Sequence, residues 1–294
     1  VRRRASVGSW IGAVIVVLGI LLAGGYLARK AMHLNEPQIA VAPPASTAST
    51  STPASAASAA SAPIRHPIEQ AQTGPATAST AALPALGDSD ADAASALTRL
   101  AGGDTLTSLL VRQQIIARIV ATVDALPRRG LSTYMLPVHT PKGALSTDDS
   151  DGTVVLGAKN AGRYAPYMKI IEAADPQAVV AWYVHAYPLF QEAYRQLGYP
   201  KGYFNDRLIV VIDDLLTAPE PAQPPALARS RTYYVYTDPA LESLSAGQKL
   251  LLRVGPANEA AIKDKLRAIR TALIGQHLRA MPEPAGTAGQ ARMQ

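Results

Sequence analysis

PQAVVAWYVHAYPLFQEAYRQL, residues 176–197, is the stretch on which the fold turns. Tyr183, Tyr187, Phe190, Tyr194 and Leu197 follow i, i+4, i+7, i+11, i+14, the repeat of one helical face. Trp182, Ala186, Leu189 and Ala193 form the adjacent row, so the apolar face is wide and belongs at the centre of a core. His185, Glu192 and Arg195 occupy the opposite side. Pro176 falls in the first turn and Gly198 just past the end, the usual asymmetry of helix termini. Pro188 removes one backbone bond and predicts a kink.

The same reading extends in both directions. Beyond the turn at 198–202, Asn205 is expected to cap a helix with the apolar run 208–216, interrupted by Asp213 and Asp214 and broken by prolines between 219 and 225. Residues 232–236 are the best strand candidate, with 154–156 as a pairing partner. Ser245 and Gln248 make a capping box for a helix that stops at Gly255. Pro256 opens the last helix, where Ile262, Leu266, Ile269 and Leu273 form the buried stripe. Toward the N-terminus, Ser89 and Asp92 open a helix presenting Ala93, Leu97 and Leu100 that ends at Gly102-Gly103. Asp104 is expected to cap a second helix carrying Leu106, Leu109, Leu110, Ile116, Ile119, Val120 and Val123, which Pro127 ends. Residues 128–160 read as a long surface loop. The fold class is mainly α: a multi-helix domain at 84–282 with one small two-stranded sheet, then a disordered tail at 283–294.

The flanks supply address rather than core. Residues 10–28 (WIGAVIVVLGILLAGGYLA) carry no charge and span about 28 Å as a helix, the thickness of a bilayer core. Trp10 and Tyr26 sit at the interfaces and Arg2, Arg3 and Arg4 precede the run, which places residues 1–9 in the cytoplasm. Residues 29–83 read as a disordered linker, because 42–63 is entirely Ala, Ser, Thr and Pro and buries too little apolar area to offset its ordering entropy. The net charge of +6 divides between a basic N-terminal third and a nearly neutral remainder, so no nucleic-acid partner is expected. With no cysteine, disulfides, cysteine metal sites and thiol nucleophiles are excluded.

Several local strings occur together: VDALPR (123–128), RYAPY (163–167), YPLFQEAY (187–194), LGYP (197–200), YFNDRL (203–208) and LSAGQKLLLR (244–253). In combination they resemble the bacterial family catalogued as domain of unknown function 3014, over nearly all of 86–273. The resemblance implies a membrane-tethered envelope protein with a Pro- and Ala-rich linker, and it transfers no catalytic residue. The chain departs from the resemblance at Ala161 and Gly162, between Asn160 and Arg163, where it implies an aromatic.

The residues offer little catalytic chemistry. His33, His66, His139, His185 and His277 lack metal-ligand spacing, and no cofactor motif is present. Ser89 lacks the second glycine of a nucleophile elbow and reads as a cap. Lys263, Arg267 and Arg270 read as a solvated basic face. Seven tyrosines lie between Tyr164 and Tyr203, and their hydroxyls need polar partners. The binding candidates are therefore Asn160, Arg163, Tyr164, Glu192, Tyr199, Asn205, Asp206 and Arg207. The favoured reading is a single-pass inner-membrane protein whose periplasmic helical domain is a non-catalytic binding or scaffold module, with an envelope protein or cell-wall polymer as partner. The alternative is a hydrolase of cell-wall glycan or peptide, using Glu192 with Asp206, Asp213 or Asp214 as a carboxylate pair.

Overall fold

The computed structural model describes residues 63–70, 82–231 and 233–274. The expected anchor at 10–28 and the tail lie outside the described residues, as does most of the linker. No helix among the described residues is long and apolar enough to cross a membrane. The described chain is mainly helical, with two small sheets where one was expected.

Three helices, α1 (Asp90–Leu100), α2 (Thr105–Leu109) and α3 (Ile115–Ala125), precede the first hairpin, β1 (Thr147–Ser150) and β2 (Thr153–Leu156). Then come α4 (Asn160–Arg163), α5 (Ala165–Ala173), α6 (Pro176–Gln196) and α7 (Phe204–Leu216). A second hairpin, β3 (Leu227–Ser230) and β4 (Tyr233–Tyr236), leads to α8 (Pro239–Ser243), α9 (Ala246–Val254) and α10 (Pro256–Ile274).

The central helix is α6, continuous through Pro188 and packed against α3 and α10. Its expected inward row is buried: Tyr183, Tyr187, Phe190 and Tyr194, with Ala186, Leu189 and Ala193 beside them. The rings meet edge to face, with Tyr183 and Phe190 centroids 5.2 Å apart, and Phe190 stacks on Phe204 of α7. Asp175 caps α6 by accepting from the amides of Gln177 and Ala178, a capping residue the sequence reading passed over. The box at Ser245 and Gln248 forms as expected.

Five expectations need correction. Ser89 precedes α1 without capping it, because its hydroxyl donates to the Leu86 carbonyl. The single helix expected after Asp104 is two: the backbone between them bonds to Pro137 and His139, and the Asp90 carboxylate accepts the Gln114 and Ile115 amides, each at 2.7 Å, restarting the helix as α3. The supposed long loop holds β1 and β2, in register Thr147 to Leu156 and Ser150 to Thr153, around Asp151 and Gly152. Both turn residues have positive φ, the pairing that tight hairpin turns prefer. Residues 154–156 therefore pair with their sequence neighbour; only an isolated bridge joins Val155 to Ala226 at the second hairpin. Finally, of the expected solvated basic face Arg267 is exposed and Arg270 is half-buried, paired with Asp213 on α7, but Lys263 is buried.

Part of the expected linker is also ordered. Residues 63–70 lie against the domain, with Ile68 in the main core and the 3-10 turn Ile68–Gln70 touching α6 and α10.

Candidate functional site

The eight sequence-selected residues separate into four places. Asn160, Arg163 and Tyr164 gather at α4. The buried Asn160 amide donates to the carbonyls of Ser146 (2.6 Å) and Gly157 (2.9 Å), and its oxygen accepts from the Ser146 amide at 3.0 Å. It pins the base of the first hairpin. Arg163 donates to the Gly143 carbonyl at 2.8 Å. Tyr164 is fully buried, its hydroxyl has no partner among the described residues, and burial pushes its pKa up.

A second group centres on Asp124, which sequence reading did not select. Arg207 Nε donates to Asp124 Oδ1 at 2.9 Å, the Tyr199 hydroxyl donates to Oδ2 at 3.2 Å, and Arg128 completes the cluster. Arg207 and Tyr199 thus hold a buried carboxylate. Asn205 does not cap α7, whose N-cap is Tyr203; it is buried between the Tyr183 hydroxyl and the His66 carbonyl, and Asp206 receives the amides of residues 65 and 66. Glu192 stands apart, accepting from Gln196 at 3.0 Å.

Beside Asn160 lies a recess of about 420 Å³, between the first hairpin, residues 220–225, the end of α9 and the start of α10. Its walls are mainly apolar, from Val155, Leu156, Leu252 and the prolines at 221, 224 and 225, with the exposed Asp148, Asp149 and Glu220 also lining it. Ala161 is in the wall. Its short side chain leaves the recess open, where an aromatic would enter it.

Two buried charged groups line this recess. Glu259 is 2% exposed and belongs to an internal ion cluster. Lys263 Nζ lies 2.9 Å from its Oε1 and donates to Glu220 Oε1 at 2.6 Å and the Ala218 carbonyl at 2.7 Å. Burial raises the Glu259 pKa, with Lys263 pulling it partly back. For Lys263, burial pulls the ammonium down, but its bonds to Glu220 and Glu259 outweigh that and leave its pKa raised. The Lys263 charge is therefore met by two carboxylates.

Arg253 differs. It is 8% exposed, its guanidinium lies over the Tyr236 ring at 5.8 Å, and among the described residues no carboxylate comes within ion-pair reach. Buried charges are ordinarily paired, because desolvation is otherwise uncompensated. An apolar recess with a few convergent polar groups is also the usual form of a ligand site. A second recess of about 460 Å³, between α1 and α6, has only exposed charged groups, Asp92 and Arg99, so no buried charge directs a ligand there. Sequence reading missed Arg253 because an arginine near a helix C-terminus is an ordinary dipole partner. Its apolar surroundings become visible only when the two hairpins close around it.

Among the described residues no group of three or more His, Cys, Asp or Glu stands where it could hold a metal ion. Comparison with curated proteins and with solved structures returns no match. A family model described as protein of unknown function (DUF3014) matches residues 115–270, from the start of α3 into α10 and more than half of the chain, and the chain belongs to that family.

Proposed function

We propose that the chain is a membrane-anchored, non-catalytic binding module of the bacterial envelope. In this reading residues 10–28 cross the inner membrane once, the N-terminus is cytoplasmic, residues 29–83 tether, and the domain works in the periplasm. The uncharged run supports a membrane span, and the three arginines before it, against Arg29 and Lys30 after it, support that orientation. The observation that carries the binding reading is Arg253, a buried guanidinium without a carboxylate partner at an apolar recess. Its ligand is an anion with an apolar body: a carboxylate-bearing small molecule or chain end.

Three carboxylates of the hydrolase alternative have structural tasks, and Glu192 stands apart from them with Gln196. Asp213 pairs with Arg270, Asp214 accepts from Ser245 at 2.8 Å, and Asp206 receives two backbone amides. A periplasm-dependent phosphatase fused after Gln294 should be active, whereas activity of only a cytoplasmic reporter would reverse the orientation. A photo-crosslinker at Val155 or Leu252 in the anchored chain should capture an envelope ligand that Arg253→Gln releases. Identical capture by wild type and variant would contradict the site.

A further inference from the structure

Residues 63–70 (PIRHPIEQ) are seated in a way that resembles a bound peptide more than a piece of core. Asp206 grips two successive amides, Arg65 N to Oδ2 at 3.0 Å and His66 N to Oδ1 at 2.7 Å. Asn205 Nδ2 donates to the His66 carbonyl at 2.8 Å, and the Tyr203 hydroxyl accepts from the Ile68 amide at 2.7 Å. Residue 67 is a proline and offers no amide. Asp206 and Tyr203 thus accept every backbone donor from 65 to 68, Asn205 meets the His66 carbonyl, and Ile68 supplies an apolar anchor, 8% exposed. Recognition through main-chain groups with one side-chain pocket is a common way for domains to take peptide segments.

The balance of terms makes this contact reversible. Four hydrogen bonds and one buried aliphatic side chain oppose the ordering entropy of eight residues. The groove does not depend on the strap for its shape: the Asn205 oxygen is held by the Tyr183 hydroxyl, Tyr203 packs on Tyr187, and Asp206 rides on the thirteen-residue α7.

We propose that the start of α7 is a peptide-binding groove occupied in cis by residues 63–70, and that its partner in trans is a segment of another protein carrying Pro-Ile that takes the same bent conformation. This goes beyond the Arg253 recess and rests on different residues. The test uses the full chain carrying Ile68→Asp, which releases the strap, titrated with a labelled peptide of residues 63–70. The variant should bind the peptide saturably, the wild-type chain at least ten-fold more weakly because its own strap competes, and adding Asp206→Ala to the variant should weaken binding at least ten-fold.

No binding by an Ile68→Asp chain that still unfolds cooperatively would overturn the proposal. So would a concentration-dependent dimer that takes no peptide, which would mark strap exchange between copies. Hydrogen exchange on the wild-type chain gives a readout independent of that variant. The amides of Arg65, His66 and Ile68 should exchange at least a hundred-fold faster than those of Leu189 and Ile209. Equal protection would make the strap a permanent part of the core and overturn the proposal.

Discussion

Gly247 occupies the second position of α9, where a Cβ would lie 2.4 Å from Leu215 Cδ2 and 3.3 Å from Leu126 Cδ2. Both leucines are fully buried, so the shift of their side-chain ends would disturb core packing. Gly247→Ala should therefore destabilise by about 1–3 kcal/mol, although alanine is preferred to glycine inside helices by about 1 kcal/mol; urea unfolding would measure it. Lys263 poses a different residue-scale problem. Replacing it with Met leaves the Glu259 carboxylate buried without its cation, at a cost of about 3–5 kcal/mol. Adding Glu259→Gln should recover most of that loss, and a double-mutant cycle by chemical denaturation reads the coupling. The sequence placed Lys263 on a basic face because its neighbours Arg267 and Arg270 are basic. What it lacked was Glu220, 43 positions earlier, which the fold brings to the lysine.

At the scale of elements, α6 was the most legible part of the chain because its signal is local and redundant, two rows of apolar residues at one period. Phe190→Ala should cost about 3–5 kcal/mol, as for a fully buried ring, with the loss seen as a lower denaturant midpoint. Where periodicity misled, a distant residue overrode it: Asp90 restarts α3 by capping an amide 25 positions away, and no window of local sequence holds that information. The first hairpin was different. Its Asp151-Gly152 turn, flanked by Thr147 and by Thr153 to Leu156, was a readable signal obscured by the polar composition of 128–160. Of the candidate site residues, only Asn160 lines the recess, while Arg207 and Tyr199 are engaged by Asp124, because polar groups near tyrosines in sequence serve tyrosines and core carboxylates in space. Ala161→Trp should fill the recess. Ligand binding should be lost while the melting temperature stays close to wild type, measured by calorimetric titration and thermal unfolding; unchanged binding would place the ligand elsewhere.

For the whole molecule, the tyrosine-rich core sets the response to pH. Burial raises the pKa of Tyr164, Tyr167, Tyr183, Tyr187, Tyr194 and Tyr236, that of Tyr167 to about 12. Between the ordinary value of 10.0 and these raised values the unfolded chain binds fewer protons than the folded one, so stability must fall as pH rises. Lys263, raised above 10.5, acts in the same direction: its contribution is complete below that value and is lost as pH climbs through the folded pKa. Thermal unfolding should therefore show a falling midpoint above about pH 10, with part of the phenolate absorbance appearing only as the domain unfolds. The proposed anion site at Arg253 is open to titration calorimetry of the full chain with N-acetylleucine and N-acetylleucinamide, which differ only in the charge of the terminal group. One saturable site is expected for the carboxylate, with at least ten-fold weaker binding of the amide and loss of that difference in Arg253→Gln; equal binding of the two compounds, or an Arg253→Gln chain that still prefers the carboxylate, would rule the site out.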